Sequence, residues 1–241
     1  MPEQPVPTGP GSGPESAADV WVVIPVFNEA AVVAAVVTEV LAGFPNVVCV
    51  DDGSTDGSAA QVASTRAHLV RHPINLGQGA ALQTGLTYAK ARSGGQFFVT
   101  FDADGQHRVD DAQRMVAVAR SGTSDVVLGS RFLDQATNVP RLKRLVLRTA
   151  VALSPTARRL HLSDAHNGLR VFSRPVADQL RITMSDMAHA SEIVTLLARS
   201  AWRVEEVPVT INYTDYSKAK GQSLVNGVNI LFDLSMKQRG R

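Results

Sequence analysis

Short apolar runs alternate with amphipathic stretches along most of this chain. Runs of strand length, apolar at nearly every position, occupy 20–26, 47–50 and 97–101, and a further strand is predicted at about 68–71. Such runs are typical of strands that are covered on both faces. Between them, apolar residues recur with helical spacing at 32–41 and again at 80–91. The alternation of strands and helices predicts an α/β fold with a doubly wound, mostly parallel sheet.

Polar residues follow three of the predicted strands at the point where each strand ends. Asn28-Glu29 follows the first strand, Asp51-Asp52 the second, and Asp102 with Asp104 the fourth. The carboxyl ends of parallel strands lie at one edge of a sheet, and ligands bind at that edge in open α/β folds. We therefore expect one shared binding crevice.

Asp102 and Asp104 are the strongest candidates for a chemical role. Residues two apart in extended chain point to the same side, so both carboxylates can face one point. Two hard oxygen donors suit Mg²⁺ or Mn²⁺ when substrate phosphates also hold the ion. An ordinary polar turn after a core strand is the alternative for this pair taken alone.

Composition narrows the class of protein. With 241 residues and 44% hydrophobic content, the chain can bury one substantial core. A net charge of +2 does not indicate nucleic acid as a partner. Cys49 is the only cysteine, which excludes an intramolecular disulfide and indicates a reducing compartment. We expect no membrane-spanning helix and no signal peptide, since the first 16 residues lack an apolar centre.

Two common nucleotide-binding signatures are missing. The dinucleotide fingerprint needs three spaced glycines directly after the first strand. Here Gly77 and Gly79 follow the third predicted strand, and Leu82 stands at the third glycine position. The sequence also lacks the glycine-rich Walker loop with its lysine. A nicotinamide enzyme and a P-loop kinase are therefore disfavoured.

The polar strand ends resemble ordered motifs of a known enzyme family. Four segments are similar to those of family 2 inverting glycosyltransferases of the GT-A fold: VVIPVFNE at 22–29, VDDGSTD at 50–56, NLGQGAA at 75–81 and FDADGQH at 101–107. Two later segments, GSRF at 129–132 and DAHNGLR at 164–170, resemble the dolichyl- or polyprenyl-phosphate sugar synthase branch. The resemblance extends from about residue 20 to 223.

The resemblance implies how a nucleotide-diphosphate sugar is held. The residues expected to bind this donor are Pro25, Phe27, Glu29, Asp51, Asp52, Asn75, Gly77, Gln78, Asp102 and Ala103. Asp102, Asp104 and Gln106 are expected to hold the metal and the diphosphate. Many relatives carry lysine where this chain has Gln78, so more of the phosphate charge falls to the metal and to arginines.

The acceptor is the harder question. A sugar hydroxyl needs a general base, whereas a lipid phosphate is already an anion. Hydroxyl-using relatives typically carry a Glu-Asp pair that is absent from 187–193. Glu192 or Asp186 is a candidate base, and Glu192 is equally explained as a helix acid favoured by the dipole. His189 is interpreted as a solvated or core-edge histidine.

Cations point towards an anionic lipid acceptor. The resemblance implies that Arg131 and Arg170 meet phosphate oxygens, and Lys218 and Lys220 lie in a basic loop that could close over phosphates. A predicted helix also carries arginines 141, 144 and 148 on one face above apolar residues, as interfacial helices do. An ordinary solvated helix face is the alternative for this stripe.

We therefore expect an enzyme that moves a sugar from a UDP- or GDP-linked donor to a polyprenyl phosphate of the undecaprenyl or dolichyl type. The alternatives are a family 2 transferase acting on a saccharide hydroxyl, a nucleotidyltransferase and a non-catalytic binding protein. The expected catalytic residues are Asp104, Arg131, Arg170 and Glu192.

The expected organisation is a disordered tail at 1–18, a GT-A domain at 19–215, and a basic loop with an amphipathic helix at 216–241. We expect a cytoplasmic protein bound peripherally at the inner face of the cell membrane, through the lipid surface or a small membrane partner. The sequence does not indicate the oligomeric state.

Overall fold

The computed structural model describes residues 17–92, 94–133, 149, 154–185 and 188–212. Its strands are β1 Val20–Val26, β2 Asn46–Asp51, β3 His68–Arg71, β4 Phe97–Thr100, β5 Val126–Ser130, β6 Arg170–Ser173 and β7 Val204–Pro208. Its helices are α1 Val33–Gly43, α2 Ser58–Ala63, α3 Gln78–Lys90, α4 Val109–Arg120, α5 Pro155–Arg159, α6 Arg174–Gln179 and α7 Ala188–Arg199. A short 3₁₀ turn at Ala17–Asp19 precedes β1.

The strands form one sheet in the order β3-β2-β1-β4-β6-β5-β7. β1 runs parallel to both β2 and β4, β3 is parallel to β2, and β7 is parallel to β5. β6 is antiparallel to its neighbours β4 and β5. The predicted mostly parallel α/β sheet is therefore confirmed, and the reversed β6 brings its first residue, Arg170, opposite Thr100 at the end of β4.

Apolar layers cover both faces of the sheet. Val22 and Ile24 of β1 pack in one buried cluster with residues of α1 and α4, while Val23 packs in a second cluster with residues of α3 and α7. A Cβ at Gly85 would lie 2.3 Å from the Cγ1 of Val23, so α3 approaches β1 closely only because position 85 is glycine. The layers hold the carboxyl ends of β1, β2 and β4 at a common edge.

The predicted strand positions agree with the structure, and α3 begins at Gln78, two residues before the predicted start. No described helix is long and apolar enough to cross a membrane. The described residues do not include 1–16 or 216–241, so the expected tail and C-terminal segment are not tested. Lys218, Lys220, Asp186 and the arginine stripe at 141, 144 and 148 likewise lie outside them.

Candidate functional site

The loop after β1 is held by the loop after β2. The backbone N–H of Asn28 donates to the Ser54 hydroxyl at 3.0 Å, and that of Glu29 donates to the Ser58 hydroxyl at 2.8 Å. Asp56 accepts hydrogen bonds from the Ala30 N–H at 3.0 Å, from the Ser58 N–H at 3.0 Å and from the Ser58 hydroxyl at 2.5 Å. These side chains fix the backbone that carries Glu29 at the carboxyl edge of the sheet.

Two other expected donor residues lie on or next to β1. Pro25 is half-buried and stands opposite Val50 in the register with β2. Phe27 directly follows the strand, and 41% of it is exposed, so an apolar ring is accessible at the carboxyl edge of the sheet.

Asp51 is the last residue of β2 and is fully buried. Neither carboxylate oxygen has a hydrogen-bond partner within the described part of the chain. The Nε of Arg71 lies 3.5 Å from Oδ2, an ion-pair distance that is too long for a good hydrogen bond. A buried carboxylate left in this state can accept a hydrogen bond from a ligand.

The neighbouring Asp52 is fully engaged. Its Oδ1 accepts from the Leu76 N–H at 2.9 Å and lies 2.7 Å from Nδ1 of His72, and its Oδ2 accepts from the Gly77 N–H at 2.8 Å. The other ring nitrogen of His72 lies 3.0 Å from the Thr84 hydroxyl. Through these contacts Asp52, an expected donor-binding residue, also holds the loop before α3.

That loop aims the start of α3 at the metal-binding candidates. Asn75 accepts a hydrogen bond from the Gly77 N–H at 2.9 Å. Gly77 has φ of 92°, a conformation that glycine adopts without strain. Gln78, the first residue of α3, donates from Nε2 to Oδ1 of Asp102 at 3.1 Å.

Asp102 also contacts His107, whose Nε2 lies 2.9 Å from Oδ2. Burial by itself would raise the pKa of Asp102. The hydrogen bond from His107 and the charges of His107, Arg170 and His189 outweigh burial and hold this pKa below its usual range. His107 is buried against the Phe101 ring, with 5.4 Å between ring centroids.

Asp104 has a different environment. Burial first, and then the negative charge of Asp102, raises its pKa to about 6. Gln106 donates to its two oxygens, from the backbone N–H at 3.0 Å and from Nε2 at 2.7 Å. Between Asp102 and Asp104, Ala103 is buried in the α1/α4 cluster and anchors the loop.

The two carboxylates fit a divalent cation bound together with a substrate. The negative charge of Asp102 contributes to the raised pKa of Asp104, and a cation between the two carboxylates would offset that repulsion. The described residues contain no group of three or more His, Cys, Asp and Glu side chains placed to hold a metal. The coordination shell would therefore need oxygens from Gln106 and from the ligand.

Two arginines, Arg131 and Arg170, supply positive charge at this edge of the sheet. Arg131 makes a bidentate ion pair with Asp164, with Nε 2.6 Å from Oδ2 and Nη2 2.7 Å from Oδ1. Glu206 accepts hydrogen bonds from the backbone N–H groups of Ser163 at 2.7 Å and Asp164 at 2.9 Å. Asp164 is thereby fixed, and it orients the Arg131 guanidinium.

Arg170 is only 2% exposed, and its Nη1 has no hydrogen-bond partner in the described structure. Burial lowers its pKa to about 10, although the charges of Asp102 and Asp164 act in the opposite direction. The side chain is therefore cationic at neutral pH and carries an unused donor.

Glu192, the candidate base or helix acid, lies in α7. Its carboxylate accepts hydrogen bonds from the Thr183 N–H at 3.0 Å, the Thr183 hydroxyl at 2.5 Å and the Met184 N–H at 2.9 Å. A Cβ at Gly79 would lie 2.0 Å from the Met184 carbonyl oxygen, so the segment that Glu192 holds packs tightly on α3. Through these contacts Glu192 anchors the segment at 183–184 to α7.

His189 is 4% exposed, which contradicts the solvated interpretation of this residue.

The sequence pattern does not single out His72, and it shows His107, Asp164 and His166 only as members of motifs, with no role of their own. His107 was recognisable only as part of a motif, and nothing in the spacing of Asp164 and Arg131 indicates that they pair across 33 positions. His166 is largely buried, and neither ring nitrogen has a hydrogen-bond partner among the described residues.

Comparisons with known proteins agree with this geometry. Residues 21–181 match the family described as Glycosyl transferase family 2. The chain is 27% identical over 246 residues to UDP-N-acetylglucosamine--dolichyl-phosphate N-acetylglucosaminyltransferase of Methanococcus voltae, covering 92% of this chain and 97% of that protein. It is 28% identical over 222 residues to polyprenol monophosphomannose synthase of Mycolicibacterium smegmatis, covering 87% and 82%.

A solved structure shows the same fold. Glucosyl-3-phosphoglycerate synthase from Mycobacterium tuberculosis, in complex with Mn²⁺, UDP and phosphoglyceric acid, matches with a TM-score of 0.64 and 19% identity. The match covers 90% of this chain and 78% of the solved chain. The likeness confirms the predicted GT-A architecture.

Proposed function

The chain belongs to glycosyltransferase family 2, and we propose that it transfers a sugar from a nucleoside-diphosphate sugar to the phosphate of a polyprenyl phosphate, with inversion at the anomeric carbon. The observation that carries this proposal is the buried guanidinium of Arg170, beside Asp102, with an unused donor on Nη1. Such a group suits an acceptor that arrives as a phosphate anion. The names of the two relatives above, a dolichyl-phosphate N-acetylglucosaminyltransferase and a polyprenol monophosphomannose synthase, support the same choice.

The nucleoside is assigned to the ends of β1 and β2. The Asp51 carboxylate, which has no hydrogen-bond partner among the described residues, accepts a hydrogen bond from the ring N–H of the base, and both uracil and guanine have one. Pro25, Phe27 and Glu29 line the same end of the crevice and contact the base and ribose. UDP- and GDP-linked donors therefore both belong in a binding screen.

Asp102, Asp104 and the amide oxygen of Gln106 would hold Mg²⁺ or Mn²⁺. When bound, the ion neutralises charge that develops on the leaving nucleoside diphosphate. His107 and Gln78 orient Asp102, and the Gln106 backbone orients Asp104. Gln78 is uncharged, so it can donate a hydrogen bond to the diphosphate but cannot offset its negative charge. Arg131, Arg170 and the metal would supply the positive charge at the phosphates instead.

The acceptor phosphate needs positioning rather than deprotonation. One of its oxygens forms the new bond to the anomeric carbon as the bond from that carbon to the diphosphate oxygen breaks on the opposite face. No proton has to be removed, which agrees with Glu192 being engaged at Thr183 and Met184. Arg170 and Arg131 bind the acceptor phosphate, and we assign Lys218 and Lys220 to the same phosphate from the sequence alone.

Solvent extraction tests the proposed acceptor. The protein is incubated with Mn²⁺, a panel of radiolabelled UDP- and GDP-sugars, and undecaprenyl or dolichyl phosphate in detergent micelles. We expect label to enter the organic phase as lipid-linked sugar. Transfer of label only to a water-soluble glycan would instead identify a saccharide hydroxyl as acceptor. Release of pyrophosphate would identify a nucleotidyltransferase.

A pair of conservative variants links this activity to the site. Arg170→Lys keeps the charge but loses the planar fork, so lipid-linked product should fall about tenfold or more. Arg108→Lys replaces an exposed arginine, 47% of whose side chain is accessible, and serves as the matched control. Equal rates for the two variants would contradict the assigned role of Arg170.

We also propose peripheral attachment at the inner face of the cell membrane. The support is the sequence pattern of arginines 141, 144 and 148, which lies outside the described residues. Reversing these three charges together should reduce sedimentation of the protein with vesicles containing anionic lipid, while donor binding is retained. Equal sedimentation of variant and parent would contradict the proposal.

A further inference from the structure

Unsatisfied buried polar atoms are concentrated in one short segment. Four such atoms fall within 166–170: Nδ1 and Nε2 of His166, Nδ2 of Asn167 and Nη1 of Arg170. None of the four has a hydrogen-bond partner in the part of the chain that the structure describes. Buried polar groups in folded proteins almost always have partners. A cluster of exceptions at the functional edge therefore indicates that a ligand supplies the missing hydrogen bonds.

The segment lies directly against the metal-binding candidates. A Cβ at Gly168 would lie 2.2 Å from Oδ2 of Asp102, so the backbone there touches the carboxylate. The Thr100 hydroxyl, at the end of β4, donates to the Gly168 carbonyl at 2.6 Å. His166 thus belongs to a loop that is fixed beside Asp102.

The order of the strands along the sheet indicates which part of the donor reaches this loop. β2 and β1 end in the residues assigned to the nucleoside, and β4, the next strand, ends in the carboxylates assigned to the diphosphate. β6 follows β4, and its first residue is Arg170. In a nucleoside-diphosphate sugar the group beyond the diphosphate is the sugar.

The chemistry of the imidazole favours a hydroxyl partner. Burial, together with the nearby positive charges of Arg170 and Arg131, lowers the pKa of His166 to about 4, against the opposing effect of Asp164. The ring is then neutral at physiological pH, so one nitrogen donates and the other accepts. A sugar hydroxyl both accepts and donates a hydrogen bond, whereas an ionised phosphate oxygen can only accept.

We propose that His166, with Asn167, binds hydroxyl groups of the transferred sugar and selects which sugar the enzyme uses. The inference rests on the donor half of the proposed function and is independent of the lipid acceptor. His166 is then a specificity-determining residue, and Arg170 in the same segment binds phosphate.

A coupling experiment tests this role without any acceptor. Isothermal titration calorimetry in buffer containing Mn²⁺ first identifies which of UDP-glucose, UDP-N-acetylglucosamine and GDP-mannose the protein binds most tightly. The parent protein, His166→Phe and His166→Gln are then titrated with that donor, with its singly deoxygenated analogues, and with the nucleoside diphosphate alone. His68→Gln is the matched control, because it replaces an exposed histidine at the amino end of β3, away from the carboxyl edge of the sheet.

We expect at least one deoxy analogue to bind the parent protein about tenfold or more weakly than the full sugar. Loss of the sugar hydroxyl leaves a buried polar group of the protein without a hydrogen-bond partner. In His166→Phe the same analogue should lose less than about twofold. His166→Gln should retain part of the discrimination, since an amide also donates and accepts. Affinity for the nucleoside diphosphate alone should change by less than about twofold in every variant.

The outcomes separate the two proposals. If His166→Phe discriminates the analogues as the parent does, the sugar-binding role is wrong. If no nucleoside-diphosphate sugar binds, this inference and the donor half of the proposed function both fail. If the donor binds with the expected coupling but no lipid-linked product forms, only the proposed acceptor fails. Circular dichroism checks the fold, and His166→Ala replaces the Phe variant if that variant does not fold.

Discussion

Asp102 and Asp104 are two residues apart, yet their surroundings move their pKa values in opposite directions. Both are affected by burial, which raises a carboxyl pKa. His107, Arg170 and His189 compensate at Asp102, whereas Asp104 has the negative charge of Asp102 as a further cause of its raised pKa of about 6. A divalent ion held between them would supply the charge that Asp104 lacks.

The first prediction concerns Asp104→Asn, which keeps the shape of the side chain and removes its charge. We expect metal-dependent transfer to fall by about 10²- to 10³-fold, because a ligand of the ion that stabilises the leaving group is weakened. Initial rates measured over a Mn²⁺ titration give the result. Asp110→Asn, at a largely exposed carboxylate in α4, is the control, and near-parental turnover of Asp104→Asn would exclude the metal role.

A second prediction concerns the pH dependence of stability. The pKa of His166 is lowered from 6.5 to about 4, so between these values the unfolded chain binds a proton that the folded chain does not. Stability relative to His166→Phe should therefore fall as the pH falls from about 6.5 to 4, by about 3 kcal/mol in full. Urea unfolding of both proteins at several pH values measures the difference. A constant difference would show that the imidazole is not held neutral.

At the residue scale, the strand pattern located the carboxylates, and the roles expected for them came from the resemblance to known motifs. A strand that ends in acidic residues reliably places them at the functional edge, as it did for Asp51, Asp52 and Asp104. Adjacent residues leave a strand on opposite sides, and which side meets the ligand depends on the loop at 75–77, which is distant in sequence. The pairing of Asp164 with Arg131 depends on the fold in the same way.

At the element scale, the loops at the carboxyl edge of the sheet are held in place by contacts with one another. Asp56 accepts one hydrogen bond from the Ala30 N–H in the loop after β1 and two from Ser58 at the start of α2, and so ties the two segments together. Hydrogen bonds from backbone N–H groups to side chains of this kind hold a loop in place without the loop being buried in the core. The position of Glu29 and Phe27 therefore depends on a carboxylate that need not touch the donor.

This dependence gives a third prediction. Asp56→Ala should raise the KM for the nucleotide sugar about tenfold and change kcat by less than about threefold, because the loop that lines the nucleoside pocket loosens while the groups at the reacting bond stay in place. Steady-state kinetics measure both constants. Glu39→Ala, at an exposed acid of α1, is the control. An unchanged KM would show that the loop keeps its position without Asp56.

The antiparallel direction of β6 could not be predicted from the sequence pattern. Strands buried on both faces read as continuous apolar runs whether they run parallel or antiparallel. β6 has only four residues, so its own pattern says little. Its reversal places Arg170 at the functional edge rather than at the opposite one. The resemblance to known motifs, not periodicity, was what identified this arginine.

At the scale of the whole molecule, every residue assigned to the donor belongs to a single sheet edge. Two apolar clusters, one on each face, hold that edge, and both include residues of β1. A ligand bound across the ends of β2, β1 and β4 therefore contacts elements from both layers. Its binding free energy should add to the stability of the domain as a unit.

Metal and nucleotide should accordingly stabilise the protein only together. With UDP or GDP at 100 times its dissociation constant and Mn²⁺ present, the added stability is about 2.7 kcal/mol, or roughly 5–10 °C in Tm for a domain of this size. Chelation with EDTA should remove most of this shift, because the diphosphate would then face Asp102 and Asp104 without a neutralising cation. Differential scanning calorimetry gives the measurement. Asp110→Asn should keep the shift and Asp104→Asn should lose it, whereas equal stabilisation with and without a divalent ion would mean that the nucleotide binds without these two carboxylates.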